Sequence, residues 1–201
     1  MRNHSMGVVM DRIDETLHDR LGRQYAKDEE NTRYERLSIL QQLASALEYL
    51  HDRQLVYRDL KPDNIGILRN GKVKLIDFGL LTELEEGDYL TQRCGTLRYM
   101  APEVCLAKYT ELADVYSFAI VLWEVWYRQG EFLAKYNDSN IDHVKAILDG
   151  EREELPSSST ESEVEHLIAM GWDSDPQQRP SMAEMNRALQ EEVLLHSMDQ
   201  P

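Results

Sequence analysis

The sequence predicts a mainly α-helical fold with one small β-hairpin, on three observations. Residues 32–52 place apolar side chains three and four positions apart, the spacing of a helix with one buried face. Residues 110–126 are apolar on nearly every side, as in a helix at the centre of a larger helical domain. Between these segments, Asn70-Gly71 separates two short apolar runs, and this dipeptide favours a hairpin because both residues tolerate positive φ.

The remaining elements follow from local signals. Ser181-x-x-Glu184 is a capping-box pattern that begins the last helix, with a buried side made of Met182, Met185, Leu189 and Val193. The other predicted elements are the end of a buried strand at 7–10, a loop at 52–64, strands at 65–68 and 72–76, a solvated loop at 80–100, a connector at 156–160 and a short helix at 161–170. No change in composition marks a domain boundary, so residues 1–201 are interpreted as one domain.

Composition argues against several classes of function. The 201 residues carry a formal net charge of −15, which disfavours a broad basic surface for nucleic acid or anionic membrane. The two cysteines, Cys94 and Cys105, are too few for a disulfide framework and lie in no zinc-binding pattern. The most apolar run, 118–126, is too short to span a bilayer, and the N-terminus has no apolar signal core. We therefore expect no nucleic-acid partner, no membrane association, and a location in the cytoplasm or, alternatively, the nucleus.

The loop 56–64 carries the side chains that point most clearly to chemistry. Asp59, Lys61 and Asn64 bring a carboxylate, an ammonium and a carboxamide onto one short segment. Taken alone, this segment fits a charged surface loop as well. Eighteen positions after Asp59, the triplet Asp-Phe-Gly at 77–79 directly follows the second predicted strand, although a lone triplet of this kind recurs by chance.

Three further motifs follow in order. They are Cys94-Gly-Thr-Leu-Arg-Tyr-Met-Ala-Pro-Glu103, Asp114-Val-Tyr-Ser-Phe118 and Asp175-Pro-Gln-Gln-Arg179-Pro180. Together with the loop and the triplet, they resemble the eukaryotic protein kinases. The sequences Tyr99-Met-Ala-Pro-Glu and Asp114-Val-Tyr-Ser-Phe resemble the tyrosine-kinase-like group or its protist relatives. The resemblance covers about residues 8–193. It implies a partial protein kinase domain within residues 1–201, made of the hinge and the helical C-terminal lobe, with the N-terminal β lobe absent.

The resemblance implies transfer of the ATP γ-phosphoryl group to Ser and Thr hydroxyls of protein substrates. Asp59 would accept the proton of the substrate hydroxyl, and Lys61 would offset charge on the phosphoryl group. Asn64 and Asp77 would be Mg²⁺ ligands, since this cation favours oxygen donors. Thr96 would bridge Asp59 and Lys61. Lys61-Pro62 with Gly95-Thr96 is the serine/threonine form of these loops.

The resemblance also places the nucleotide. Met10, Asp11 and Ile13 would lie in the hinge that holds adenine through its backbone, and Asp77 would reach the nucleotide through the metal. Gly66 stands where the family usually has a bulky apolar residue under the adenine, so weaker nucleotide packing is expected. ATP and Mg²⁺ are therefore the expected cofactors.

Three structural pairings are expected on the same basis. Asp114 should be buried and hydrogen-bonded, since the helix around it is apolar, and the resemblance implies that it anchors the catalytic-loop backbone. The family pairs Glu103 with Arg179 as an internal ion pair. Tyr57 replaces the usual histidine before Arg58 and should pack against Phe78.

The chain departs from the family pattern in the groups that bind the nucleotide phosphates, the Gly-rich loop and the strand lysine. None of its ten glycines forms a Gly-x-Gly, and the only lysine before the catalytic loop is Lys27, which follows the hinge. Residues 1–201 by themselves are therefore expected to have little activity. Two hypotheses remain, a fragment of an active kinase and a one-lobed non-catalytic binding module. Sequence upstream of Met1 encoding a Gly-rich loop and a strand lysine would favour the first.

The segment 80–96 suggests regulation. By resemblance, Arg58 would hold an activating phosphate, and Thr91 is the favoured acceptor over Thr82 and Tyr89. The acidic run at 83–88 offers an alternative, either by pairing with Arg58 in place of the phosphate or as a solvated charge run.

Overall fold

The computed structural model describes residues 12–24, 31–127, 131–136, 139–155 and 162–198. The helices in these ranges are α1 (Leu17–Gln24), α2 (Asn31–His51), α3 (Pro102–Cys105), α4 (Leu112–Tyr127), α5 (Asn140–Leu148), α6 (Glu163–Gly171) and α7 (Met182–Met198). The strands are β1 (Glu15–Thr16), β2 (Leu55–Val56), β3 (Ile65–Ile67), β4 (Val73–Leu75) and β5 (Thr82–Glu83). The prediction of a mainly helical fold is confirmed. The predicted strand at 7–10 and the connector at 156–160 lie outside the described residues.

Helix α4 runs through the centre of the core. Every residue from Ala113 to Val125 is buried, which matches a helix with no polar side. Helix α6 packs on α4, and α2 packs along α7 and against α4. The α2 side chains that face this core share complete burial: Leu37, Leu40, Leu43, Ala44 and Leu47. Burying such a side chain contributes about 1.5–3 kcal/mol, so this stripe is sufficient to hold α2 against the lobe.

The predicted hairpin is confirmed, with a longer turn than a two-residue one. Strands β3 and β4 pair antiparallel, with Ile65 opposite Leu75, and β1 adds to the other side of β3. In the turn only Gly71 has positive φ, at 77°, while the Asn70 side chain accepts a hydrogen bond from the Lys72 N–H. The hairpin places Asn64 directly before β3 and Asp77 two residues after β4, and the Ile76 N–H donates to the Asn64 carbonyl (2.9 Å).

The interpretation of residues 80–100 as a solvated loop is wrong in part. Strand β5 pairs antiparallel with β2, and Leu84, just after β5, is 92% buried. Further along, Leu90 and Tyr109 exchange backbone hydrogen bonds of 2.8 and 3.1 Å. A two-residue strand is too short for alternation to show in the sequence, and its paired residues lie 26 and 28 positions away. The segment is therefore held to the lobe at several points.

The last helix begins as the capping box predicts. Ser181 Oγ accepts from the Glu184 N–H, and Glu184 Oε2 accepts from the Ser181 N–H in return. Met182, Met185 and Leu189 are buried as expected, whereas Val193 is only half-buried. Among the helices in the described ranges, none is long and apolar enough to cross a membrane.

Candidate active site

The four predicted catalytic residues are in direct contact. Asp59, Lys61 and Asn64 lie on the loop between β2 and β3, and Thr96 reaches them from the segment after β5. Asp59 Oδ1 accepts from the Thr96 N–H (2.9 Å) and from Thr96 Oγ1 (2.7 Å). Asp59 Oδ2 accepts from Asn64 Nδ2 (2.9 Å) and lies 3.0 Å from Lys61 Nζ. Lys61 Nζ also donates to Thr96 Oγ1 (2.8 Å), so the expected bridge through Thr96 is confirmed. Four residues from two distant segments thus form one hydrogen-bonded cluster.

The segment at 94–96 can approach the loop at 58–59 this closely because the residue before Thr96 is a glycine. Gly95 has φ of 102°, a conformation that other residues rarely adopt. A Cβ at this position would also overlap the carbonyl oxygen of Arg58. Gly95 therefore allows the Thr96 N–H and hydroxyl to reach Asp59.

The cluster sets the ionisation of Asp59. Partial burial by itself would raise the pKa of this carboxyl, but hydrogen bonds from Thr96 and Lys61 outweigh it and hold the pKa below its ordinary value. The carboxylate is therefore ionised at neutral pH. An ionised, hydrogen-bonded carboxylate is an acceptor for a hydroxyl proton.

Asp114 anchors the start of this loop, as expected. Its carboxylate accepts from the backbone N–H groups of Tyr57 (2.7 Å) and Arg58 (2.8 Å), and the side chain is 1% exposed. Arg58 has φ of 70°, which is unfavourable for a residue with a side chain and persists only where the surroundings enforce it. His51 Nε2 also lies 3.0 Å from Asp114, a contact that the sequence analysis missed. Asp114 therefore holds a strained backbone directly before Asp59.

Asp77 follows β4 in a backbone conformation of the same kind. Its φ is 63°, and its Oδ1 accepts from the Gly79 N–H (3.0 Å). The Tyr57 ring packs edge-on against Phe78, with ring centroids 5.8 Å apart, and the Tyr57 hydroxyl donates to the Ile76 carbonyl. The expected packing of Tyr57 is confirmed. The tyrosine hydroxyl thus ties the catalytic loop to the residue before Asp77.

The donor set suits Mg²⁺ bound together with phosphate. Asn64 Nδ2 makes both of that side chain's hydrogen bonds to Asp59, which leaves the amide oxygen as a ligand, and Asp77 supplies an exposed carboxylate. In the ranges that the structure covers, no three His, Cys, Asp or Glu side chains converge as a metal cage. Mg²⁺ is commonly held by one or two protein oxygens plus phosphate and water, so these residues fit it.

The predicted adenine contacts are resolved only in part. Met10 and Asp11 lie outside the described residues. Ile13 covers Gly66 so closely that a Cβ on Gly66 would lie 2.5 Å from Ile13 Cγ2 and 3.4 Å from Ile76 Cγ2. The space left by Gly66 is therefore taken by Ile13, a contact the sequence did not reveal because it joins two distant segments.

The expected ion pair of Glu103 and Arg179 is confirmed. Arg179 Nη1 lies 2.6 Å from Glu103 Oε1, and Nη2 lies 2.9 Å from Glu103 Oε2. The guanidinium also donates to the carbonyls of Asp173 and Leu112. This two-pronged contact ties the segment after Thr96 to the residues that precede α7.

The proposed pairing of Arg58 with the acidic run is wrong. Arg58 Nε donates to the Leu80 carbonyl (2.6 Å), and no carboxylate of residues 83–88 pairs with Arg58. The Tyr109 hydroxyl instead donates to the Gln92 carbonyl (2.6 Å), which helps to hold the segment. The alternative interpretation, a run of unpaired carboxylates facing solvent, agrees with the structure.

Glu124 is a buried acid that the sequence analysis did not assign to the site. It accepts from the Tyr99 hydroxyl (3.1 Å) and the Phe132 N–H (3.2 Å), and burial raises its pKa to about 7. It lines a cavity of about 420 Å³ that reaches Thr96 and Asp63. Its signal in the sequence is a charge in an otherwise apolar helix whose only other charged residue is Asp114.

An ionised carboxylate held by hydrogen bonds beside an ammonium group, together with side-chain oxygens that fit Mg²⁺, is consistent with a phosphotransferase site. The chain belongs to the protein kinase family, whose domain model, described as the protein kinase domain, matches residues 1–192.

Individual relatives agree with this assignment. A putative mitogen-activated protein kinase kinase kinase 7-like protein of Drosophila melanogaster is 41% identical over 75% of this chain and 40% of its own length. An RGS domain-containing serine/threonine-protein kinase A of Dictyostelium discoideum is 34% identical over 78% of this chain and 14% of its own. The dual specificity protein kinase shkD of the same organism is 33% identical over 83% and 22%. The chain thus spans well under half the length of these relatives.

Proposed function

We propose that this kinase domain transfers the γ-phosphoryl group of Mg-ATP to Ser and Thr hydroxyls of proteins, as the tyrosine-kinase-like kinases do. The observation that carries the proposal is the Asp59 cluster, in which Thr96, Asn64 and Lys61 orient one ionised carboxylate. Phosphoryl transfer needs positioning and charge neutralisation more than covalent chemistry by the protein, and this cluster supplies both.

Each residue has a distinct part in the reaction. The Asn64 amide oxygen and the Asp77 carboxylate would hold Mg²⁺, which would supply charge neutralisation at the nucleotide phosphates. Asp59 accepts the hydroxyl proton of the substrate. Its carboxylate already receives four hydrogen bonds or charge contacts, which fills its lone pairs. Of these contacts, the one from Lys61 is the one that can be released, because the flexible Lys61 side chain can turn its ammonium toward the phosphoryl group. Asp59 Oδ2 is then open to the substrate hydroxyl.

Serine/threonine specificity is supported by Lys61-Pro62 and by the position of Thr96 between Asp59 and Lys61. One relative is named a dual specificity kinase, so the test includes tyrosine. Peptides that differ only in a Ser, Thr or Tyr acceptor are incubated with Mg-ATP and the protein, with Asp59→Asn as control. We expect transfer to Ser and Thr, with Tyr slower by about 100-fold, the effect of one misplaced catalytic group. Equal rates for Tyr would contradict the proposed specificity.

We propose further that residues 1–201 alone transfer phosphate slowly. They contain no Gly-x-Gly, and Lys27 is the only lysine before Lys61. Losing one preorganised charge-stabilising donor costs about 100- to 1000-fold in rate. Turnover at the ordinary kinase rate of about 1–100 per second would refute this proposal. A rate of phosphate transfer no higher than that of the Asp59→Asn variant would favour the alternative, a non-catalytic binding module. Sequence upstream of Met1, read in frame for a Gly-rich loop and a strand lysine, tests whether the active enzyme contains more residues.

The partners we propose are ATP and proteins, with neither nucleic acid nor membrane, in the cytoplasm or nucleus. The net charge of −15 supports this choice because an acidic protein is repelled by polyanions. Imaging of a fluorescent fusion tests the location.

A further inference from the structure

A second concave surface lies apart from the Asp59 cluster. This groove, of about 410 Å³, is bounded by the end of α2, β2, the loop after β5, and the first turns of α4 and α7. Its floor is apolar: Leu55 and Leu112 are partly exposed there, above the buried side chains of Val56, Leu84, Val115 and Met182. We name it the α2–α4–α7 groove. None of the predicted catalytic or Mg²⁺-binding side chains lines it.

The rim of the groove is acidic. Its carboxylates are Glu48, Asp52, Glu85, Glu86, Asp88 and Glu111, and no Lys or Arg lines the groove. Glu48 accepts from Asn186 Nδ2 (2.6 Å), whereas the other five have no side-chain hydrogen bond or ion pair within the part of the chain that the structure describes. The one cationic candidate, His51, directs its Nε2 to Asp114. The rim is therefore negative and unneutralised.

The wall that carries Glu85, Glu86 and Asp88 is held at both ends. Before it, the Leu84 N–H donates to the Gln54 carbonyl (2.8 Å), and β5 pairs with β2. After it, Leu90 pairs with Tyr109. Within the wall, the Asp88 N–H donates to the Glu85 carbonyl (3.1 Å). The groove is thus formed before anything binds, which lowers the ordering cost of binding.

The charge and the apolar floor of the groove indicate which kind of ligand it can bind. Because all the charges around this concave surface are negative, they focus a negative potential that attracts cations. A metal ion does not suit it, since no three acidic, His or Cys side chains among the described residues converge on one point. A purely polar cation leaves the apolar floor exposed. A peptide with Lys and Arg around one aliphatic side chain matches both the rim and the floor, and the volume is within the range of peptide and ligand pockets, about 300–1,000 Å³.

We propose that the α2–α4–α7 groove is a docking site for a basic segment of a partner protein that inserts one aliphatic side chain between its Lys and Arg residues. The site is separate from the Asp59 cluster, so a docked partner leaves that cluster open. Docking would raise the effective concentration of the partner at the lobe. The proposal does not depend on phosphoryl transfer and holds for a catalytic or a non-catalytic chain.

The test measures fluorescence polarisation of a labelled peptide, Gly-Arg-Lys-Arg-Leu-Lys-Arg-Gly, on the 201-residue protein in about 100 mM salt, where charges beyond about 10 Å are largely screened. The groove variant is Glu85→Lys with Glu86→Lys. The matched control is Glu154→Lys with Glu191→Lys, which changes the net charge equally at two exposed positions outside the groove. We expect affinity to fall at least about tenfold in the groove variant and less than about threefold in the control.

Two further arms separate docking from non-specific attraction. The variant Glu85→Gln with Glu86→Gln removes the charges with little risk to folding, and its melting temperature is compared with that of the parent. It should also weaken binding. A peptide with Ala in place of Leu should bind about tenfold more weakly, because it loses the methyl and methylene groups that the floor covers. Equal loss in the groove and control variants, or undiminished binding of the Ala peptide, would overturn the proposal.

Discussion

Removing the Arg179 side chain should destabilise the lobe strongly. The guanidinium is fully buried and makes four hydrogen bonds, two to the Glu103 carboxylate and one each to the carbonyls of Asp173 and Leu112. Arg179→Ala leaves a largely buried carboxylate without its counter-ion and two carbonyls without a donor. Breaking a buried pair from one side costs about 3–5 kcal/mol.

The assay is thermal unfolding of the 201-residue protein followed by circular dichroism. For a chain of this size about 1 kcal/mol shifts the melting temperature by about 2–4 °C, so Arg179→Ala should lower it by roughly 6–20 °C. Arg187→Ala is the matched control, because Arg187 is exposed on helix α7, eight positions after Arg179, and should change stability by at most about 0.5 kcal/mol.

A double mutant separates the pair from the loss of packing. Arg179→Met with Glu103→Gln removes both charges, so neither remains buried and alone, and part of the lost stability should return. The reasoning would be refuted by a melting temperature of Arg179→Ala within about 2 °C of the parent. It would also be refuted if the separate effects of Arg179→Met and Glu103→Gln simply added in the double mutant.

Three further predictions concern the site. In the active kinase, Asp59→Asn and Asp77→Asn should each abolish transfer, but only Asp77→Asn should weaken binding of Mg-nucleotide, measured by calorimetry; the reverse pattern of affinities would mean that the two roles are exchanged. Burial raises the pKa of Glu124 to about 7 from an ordinary 4.5, so its stabilising contribution is complete below about pH 4.5 and is lost as the pH rises through 7. Glu124→Gln should therefore gain about 2–3 kcal/mol relative to the parent between pH 5 and pH 8, and urea unfolding curves with no pH-dependent difference would exclude a raised pKa. Thr91→Ala should lower activity if a phosphate there pairs with Arg58, and full activity with no phosphate found by mass spectrometry between residues 80 and 96 would rule out this switch.

Features that depend on neighbours in the sequence could be predicted. The helix at 31–51, the capping box at Ser181, the hairpin around Gly71 and the burial of α4 each arise from interactions within a few residues or from one local apolar pattern. The motif set likewise placed Asp59, Lys61 and Asn64 on one loop, since they lie within six residues of each other.

Most contacts between distant segments were decided by the tertiary structure. The resemblance predicted that Thr96 meets Asp59 across 37 positions, but nothing in the sequence predicted that His51 meets Asp114 across 63 positions. The pKa of Glu124 follows from the helices that bury it. The sequence shows which charged groups and hydroxyls the chain contains. The packing of the helices determines which of them lie together in one low-dielectric environment. Hydrogen bonding and desolvation act over a few ångströms, whatever the separation along the chain.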